Sequence, residues 1–217
     1  MSPIQKIPLQ SLNRLPYYLT CLKTKQNNAI ESVSATDIAQ ELSLNEVVVR
    51  KDLSLFRSEK GRPNTGFSVS EMILAIEDFL GYHNSAEAVL VGAGRLGRAL
   101  ISGMGIGDFG IRVVAGFDRN ERLIGHEVEG VPILPMDKLA DLCRRLHIKT
   151  AILAVPEAEA QDVCDTLILS GVENIMNYAQ VYLKAPTGIY IQNENPSASF
   201  VSFFNHLRRQ QNQPSVL

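Results

Sequence analysis

Three glycines and one aspartate carry the clearest chemistry in this chain. Gly92, Gly94 and Gly97 form a G-x-G-x-x-G run, with Ala93, Arg95 and Leu96 at the variable places. Glycine first permits a tight turn, glycine second lets backbone approach a pyrophosphate, and glycine third lets a helix pack close to a strand. The N-terminus of that helix then offers free N–H groups to phosphate oxygens. Asp118 closes the apolar run Ile111–Phe117 and lies 21 residues after Gly97. That is close to the ~20 residues expected before a carboxylate that binds ribose hydroxyls. Together they point to a dinucleotide of the NAD(H) type. Arg119 is a residue type that could meet a 2′-phosphate, although Asp118 itself repels one.

A second set of residues suits nucleic acid. Val47, Arg50, Lys51 and Ser54 fall at i, i+3, i+4 and i+7, which is one face of a helix. Arginine reaches guanine edges or phosphate, lysine reaches phosphate, and valine meets a thymine methyl. Arg57, Lys60 and Arg62 continue the positive charge through a turn-rich run that ends in Phe67-Ser68-Val69. This run reads as a basic hairpin wing behind a recognition helix.

The elements that position these sets follow from patterning. Residues 9–25 place Leu12, Leu15, Tyr18, Leu19 and Leu22 at helical spacing, with Pro16 near the start. Ser34-Ala35-Thr36-Asp37 is a capping-box start for a helix over 34–42. A three-residue turn leads into a helix over 45–56 whose core stripe is Val49, Leu53 and Phe56. Helix, short turn, helix is the helix-turn-helix layout. A further helix over 70–82, stopped by Gly81, reads as the connector between two domains. Strands are expected over 88–91, 111–117, 131–134, 150–155 and 174–178, and helices over 96–102, 136–146 and 158–170. Such alternation means a parallel sheet with crossover helices. Val155, Pro156 and Asn177-Tyr178-Ala179 end two of these strands, where ligands of such sheets lie. Val181–Leu183 and Ile189–Ile191 bracket Pro186-Thr187-Gly188 and look like a hairpin. A last helix from near Pro196 carries Phe200, Phe203, Phe204 and Leu207 on one stripe, which suits burial against a partner subunit.

The chain has 217 residues and a net charge of −2. Residues 1–67 carry nine Lys/Arg against six Asp/Glu, and the remainder twelve against seventeen, so a basic N-terminal part precedes an acidic body. No apolar run approaches the ~18 residues of a membrane span, and no signal peptide is evident, so a cytoplasmic location is expected. Cys21, Cys143 and Cys164 show no metal spacing and fit a reducing compartment. The four histidines are scattered, and no metal site is expected.

The helix-turn-helix, nucleotide fold and aromatic terminal helix together resemble the Rex family of redox-sensing transcriptional repressors. The most specific stretches are Val49–Phe56, Val89–Leu100, Gly116-Phe117-Asp118, Ala154-Val155-Pro156 and Asn177-Tyr178-Ala179. The resemblance covers nearly the whole chain. It implies an α/β two-domain protein: a winged helix over 1–69, a linker helix over 70–83, a Rossmann-like NAD(H)-binding domain over 84–195, and a dimerisation helix over 196–217 that swaps between subunits. It also implies a homodimer that binds a palindromic operator in double-stranded DNA and releases it when NADH binds. Arg50, Lys51 and Ser54 would sit on DNA, and Gly92–Gly97 with Asp118 on the dinucleotide. In the family, an Arg in the first helix, an Asp before the terminal helix and a Tyr after the glycine-rich helix couple cofactor redox state to domain geometry. Arg14 matches the first, whereas the Asp falls on Asn195 and the Tyr on Gly103. Asn195 can hydrogen-bond to Arg14 but cannot form an ion pair with it.

Two other functions compete. A small NAD-dependent dehydrogenase needs a substrate pocket and an acid/base, but only about 30 residues follow the nucleotide fold. A winged-helix regulator that senses another adenine ligand, such as coenzyme A or NADPH, keeps the DNA-binding half.

Overall fold

Pro16 sets the first turn of the architecture. Proline lacks an N–H, and its ring clashes with the carbonyl four residues earlier, so a helix cannot run through it. The chain therefore makes two helices, α1 (Leu9–Leu12) and α2 (Leu15–Asn27), where the leucine spacing had suggested one. Pro16 sits in the first turn of α2. The structure, a computed structural model, describes residues 7–56, 66–82, 86–102, 110–194, 200–201, 203–205 and 207–208. It divides into two compact units, Met1–His83 and Asn84–Leu217.

In the first unit, β1 (Ser32–Val33) leads into α3 (Ala35–Glu41). Ser34 Oγ accepts from the Asp37 amide at 3.1 Å and the Asp37 carboxylate accepts from the Ser34 amide at 2.9 Å, completing the capping box. A tight turn with Ser43 at φ 53° leads to α4 (Glu46–Ser54), capped by the Asn45 side chain. β2 (Phe67–Ser68) pairs antiparallel with β1, and α5 (Val69–Leu80) follows at once. Val69 is thus helical and not part of the wing, because Ser68 caps it into α5. Gly81 ends α5 at φ 79°, a left-handed conformation that favours glycine. Val69, Met72, Ile73 and Ile76 join Leu15, Tyr18, Leu22, Ile38, Val49 and Leu53 in one core. The helix expected as a connector is therefore a packed element of the first unit. The wing residues 57–65 lie outside the described residues.

The second unit is a seven-stranded sheet. Its strands are β3 (Ala86–Val91), β4 (Ile111–Asp118), β5 (Glu127–Val128), β6 (Val131–Pro135), β7 (Thr150–Leu153), β8 (Asn174–Asn177) and β9 (Tyr190–Asn193). The order is β5-β6-β4-β3-β7-β8-β9, parallel except for β5 at one edge. Without that edge strand this is the doubly wound order of Rossmann folds. Val89 and Val91 lie on one face with Leu139 and Cys143 of α7 (Leu139–Arg145), and Val163 and Leu167 of α8 (Glu157–Leu169). Leu90 lies on the other face with Leu100 of α6 (Arg95–Ser102). The period-two alternation within β3 thus feeds both layers. A 3-10 turn at Met136–Lys138 precedes α7.

The expected hairpin over 181–191 is not formed. β9 pairs parallel with β8, Asn174 against Tyr190 and Ile175 against Ile191. The buried Asn177 amide group explains the detour. It donates to the Val181 carbonyl at 2.8 Å and to Asn193 Oδ1 at 2.9 Å, while its oxygen accepts from the Ala179 amide at 3.0 Å. These bonds fold the intervening loop on itself, and β9 returns at the sheet edge.

Candidate functional site

The strand order reverses between β3 and β7, and the glycine turn lies just beyond the carboxyl end of β3. Ligands of such sheets bind at this switch point. Gly92 has φ 96°, and a Cβ there would lie 2.3 Å from the Ala154 carbonyl oxygen. A Cβ on Gly97 would lie 1.9 Å from the Gly92 oxygen, so this glycine lets α6 rest on the turn. In front of Gly94 a Cβ would meet nothing within 4 Å. That open ground belongs to a cavity of about 390 Å³ lined by Gly92, Gly94, Asp118, Arg119, Val155 and Pro156, among others.

Asp118 ends β4 at the mouth of this cavity. Its Oδ2 accepts from the Ala93 amide at 2.7 Å and its Oδ1 from the Asn120 amide at 2.8 Å. A carboxylate has about four acceptor positions, so two remain for ribose hydroxyls. The cavity thus unites Gly92, Gly94, Asp118, Val155 and Pro156, while Ala93 holds the carboxylate by its N–H. Arg95 and Leu96 begin α6 in exposed positions and do not line the cavity. Sequence reasoning missed Glu159, in the first turn of α8, whose carboxylate meets Arg119 at 2.9 Å across the rim. Asn177 turns inward and fastens the β8–β9 loop, and neither it nor its neighbours Tyr178 and Ala179 line the cavity.

On α4 the two faces separate as their residue types require. Val49, Asp52 and Leu53 are buried, whereas Val47, Arg50, Lys51 and Ser54 are exposed together. Arg50 is paired with Glu46 one turn earlier. The Ser54 hydroxyl donates to the Arg50 carbonyl at 2.7 Å. Arg57, Lys60 and Arg62 lie outside the described residues, as do Asn195 and Gly103.

Arg14 has a carboxylate partner that the sequence did not reveal. Its Nε donates to Asp52 Oδ2 at 2.8 Å, and the Tyr18 hydroxyl donates to the same oxygen at 2.8 Å. Arg14 Nη2 also reaches Ser11 Oγ at 3.3 Å. Burial pushes the Asp52 carboxyl up, but hydrogen bonds from Arg14, Ser11 and Tyr18 outweigh this and hold it below its usual range. Burial, reinforced by Asp52, pushes the Tyr18 hydroxyl up to about 12. The hydrogen bond to Asp52 raises Arg14 further above its ordinary value. The signal available in sequence was positional: Asp52 lies three residues after Val49, on the core stripe.

With this geometry in place, likeness to known proteins becomes informative. Residues 83–181 match a family described as "CoA binding domain", and residues 6–54 one described as "Putative DNA-binding protein N-terminus". The redox-sensing transcriptional repressor Rex of Porphyromonas gingivalis is 34% identical over 94% of this chain and 93% of its own length. Its Treponema denticola counterpart is 35% identical over 90% of this chain and 93% of its own length. The chain belongs to the Rex family of redox-sensing transcriptional repressors. Among solved Rex-family structures, RSP in complex with β-NAD+ and operator DNA superposes with a TM-score of 0.83 at 25% identity, covering 94% of each chain. The Rex family thus supplies the two-unit architecture: an N-terminal DNA-binding unit and a Rossmann-like parallel sheet. No helix among the described residues is long and apolar enough to cross a membrane.

Proposed function

We propose that this protein is a homodimeric repressor that binds a palindromic operator and releases it when NADH replaces NAD+. The carrying observation is the presence in one chain of two chemistries: an exposed Val47, Arg50, Lys51 and Ser54 face on a helix-turn-helix, and a glycine-turn cavity closed by Asp118. Arg50 and Lys51 supply cationic contacts to phosphate and guanine, and Arg57, Lys60 and Arg62 extend them along the backbone. Gly92 and Gly94 seat the pyrophosphate on the β3–α6 turn, which Ala93 and Gly97 shape, and Arg95 and Leu96 begin the helix behind it. Asp118 takes the adenosine ribose, and Val155 and Pro156 face the far half of the dinucleotide. RSP, solved with β-NADH and with β-NAD+ and operator DNA, supports both halves of the reading.

The protein acts as a cytoplasmic regulator and not as an enzyme. Two-fold symmetry suits a palindrome because half-site spacing mirrors that of the recognition helices. Asp52 lies in the same unit as Arg14 and holds its guanidinium there, so it does not replace the acid that Asn195 lacks. The likeness to a CoA-binding domain favours a second reading, in which the cavity takes coenzyme A. The Asp118 carboxylate opposes it, since the 3′-phosphate on the ribose of coenzyme A would meet the same negative charge.

Fluorescence anisotropy on a labelled palindromic duplex tests the proposal. NADH is expected to release the duplex at concentrations where NAD+ and coenzyme A do not. Release by coenzyme A alone would replace the ligand, and no binding to the duplex would overturn the reading.

A further inference from the structure

The Asp118 end of the cavity carries a second acid that the dinucleotide reading does not use. Asp118, Arg119 and Glu159 all line the cavity, and Arg119 Nη1 lies 2.9 Å from Glu159 Oε2. The two partners come from different elements, one just after β4 and the other in the first turn of α8. An arginine in this place is the group that accommodates the 2′-phosphate of NADP. Here its guanidinium is already occupied, and the three side chains sum to one negative charge.

We propose that Glu159 is a specificity-determining residue that sets the preference of the cavity for NAD(H) over dinucleotides carrying a 2′-phosphate. The proposal rests on the NAD(H) reading of the cavity. A phosphate monoester carries roughly −1.5 to −2 charges at neutral pH. To reach Arg119 it must displace Glu159 and then sit between two carboxylates. The hydroxyl of NAD(H) meets no such cost, because Asp118 accepts a hydrogen bond from it. Glu159 thus converts a cation that would invite the 2′-phosphate into one already neutralised. As an exposed pair, Arg119 and Glu159 add little to stability, and their effect falls on the charge the ligand meets.

The test compares Glu159→Gln with the unaltered protein by titrating each with NADH and NADPH at low and high salt. The ratio Kd(NADPH)/Kd(NADH) is expected to fall about tenfold at low salt. The change should shrink at about 1 M salt, where the Debye length is about 3 Å. Arg119→Gln, which leaves both acids without a cation, is expected to move the ratio the other way. The double variant Glu159→Gln/Arg119→Gln is expected to lose the gain. A merely structural role for Glu159 would weaken both ligands together and leave the ratio unchanged, which overturns the proposal. A shifted ratio that survives in the double variant also overturns it, because Arg119 is then not the responder. Should the unaltered protein bind neither NADH nor NAD+, the NAD(H) reading itself fails and the proposal falls with it.

Discussion

Asp52 shows how much one buried carboxylate can organise. It sits on α4 between exposed Lys51 and buried Leu53, yet its bonds run back to Arg14 and Tyr18 at the start of α2. Asp52→Asn removes the charge while keeping an acceptor for Tyr18. It is expected to destabilise the first unit by about 2 kcal/mol in chemical denaturation, since one partner of a buried, hydrogen-bonded pair is lost. The pH dependence follows from the direction of the shifts. The folded Asp52 carboxyl is depressed, so its stabilisation is present above the ordinary carboxylate value near ~3.9 and is lost as pH falls through the folded value. Asp52→Asn should therefore flatten the acid limb of a stability-against-pH curve. Tyr18 is raised to about 12, so its contribution is present below pH ~10 and fades between there and 12. Tyr18→Phe should remove that alkaline limb. None of this cluster was legible in sequence as a cluster. In sequence Arg50 and Lys51 read as part of a DNA-facing stripe, Asp52 carried only its position on the core stripe, and its partner lies 38 residues away. The Arg119–Glu159 pair was hidden for the same reason: sequence shows which residues are charged, not which loops meet.

The β3–α6 turn and α4 are the elements to which the proposed function is assigned, and the pattern of both was legible. Their information is local: glycine spacing in one, a two-sided helical stripe in the other. Two substitutions separate packing from ligand contact in the turn. Gly97→Ala forces a methyl to 1.9 Å from a backbone oxygen, so it should both lower the melting temperature and abolish NADH binding. Gly94→Ala meets no protein atom within 4 Å, so the fold should hold while NADH affinity drops more than about tenfold. On α4, Lys51→Ala should weaken operator binding for all sequences alike and reduce the salt slope by about one. Elements whose information is not local were missed or misread. β1 is two residues long and shows no periodicity. The 181–191 stretch has the turn residues and flanking apolar pairs of a hairpin, but Asn177 fastens the loop and Ile191 packs with the core served by α7 and α8. The break between α1 and α2 was written in Pro16, but the leucine spacing runs across it.

At the scale of the whole molecule, strand order and assembly lie beyond any single stretch of sequence. The alternation of strands and helices implied a parallel sheet, and the reversal between β3 and β7 opens the cavity at which the dinucleotide is proposed to bind. Phe200, Phe203 and Phe204 on the C-terminal helix are each more than half exposed. Such an apolar stripe suits a second copy of the chain. Phe200→Asp/Phe204→Asp is expected to shift the protein to a monomer in light scattering and to weaken operator binding by more than tenfold, as half-sites are then engaged singly. If the proposed switch operates, DNA and dinucleotide bind one molecule and oppose each other. Linkage requires that if NADH weakens operator binding by some factor, operator weakens NADH binding by the same factor. The direct measurement is NADH affinity with and without saturating palindromic duplex. Weaker NADH binding is expected with duplex, by the factor at which NADH releases it, with NAD+ affinity not reduced. Equal NADH affinity in the two titrations would contradict it, leaving a DNA-binding protein with a dinucleotide site and no switch between them.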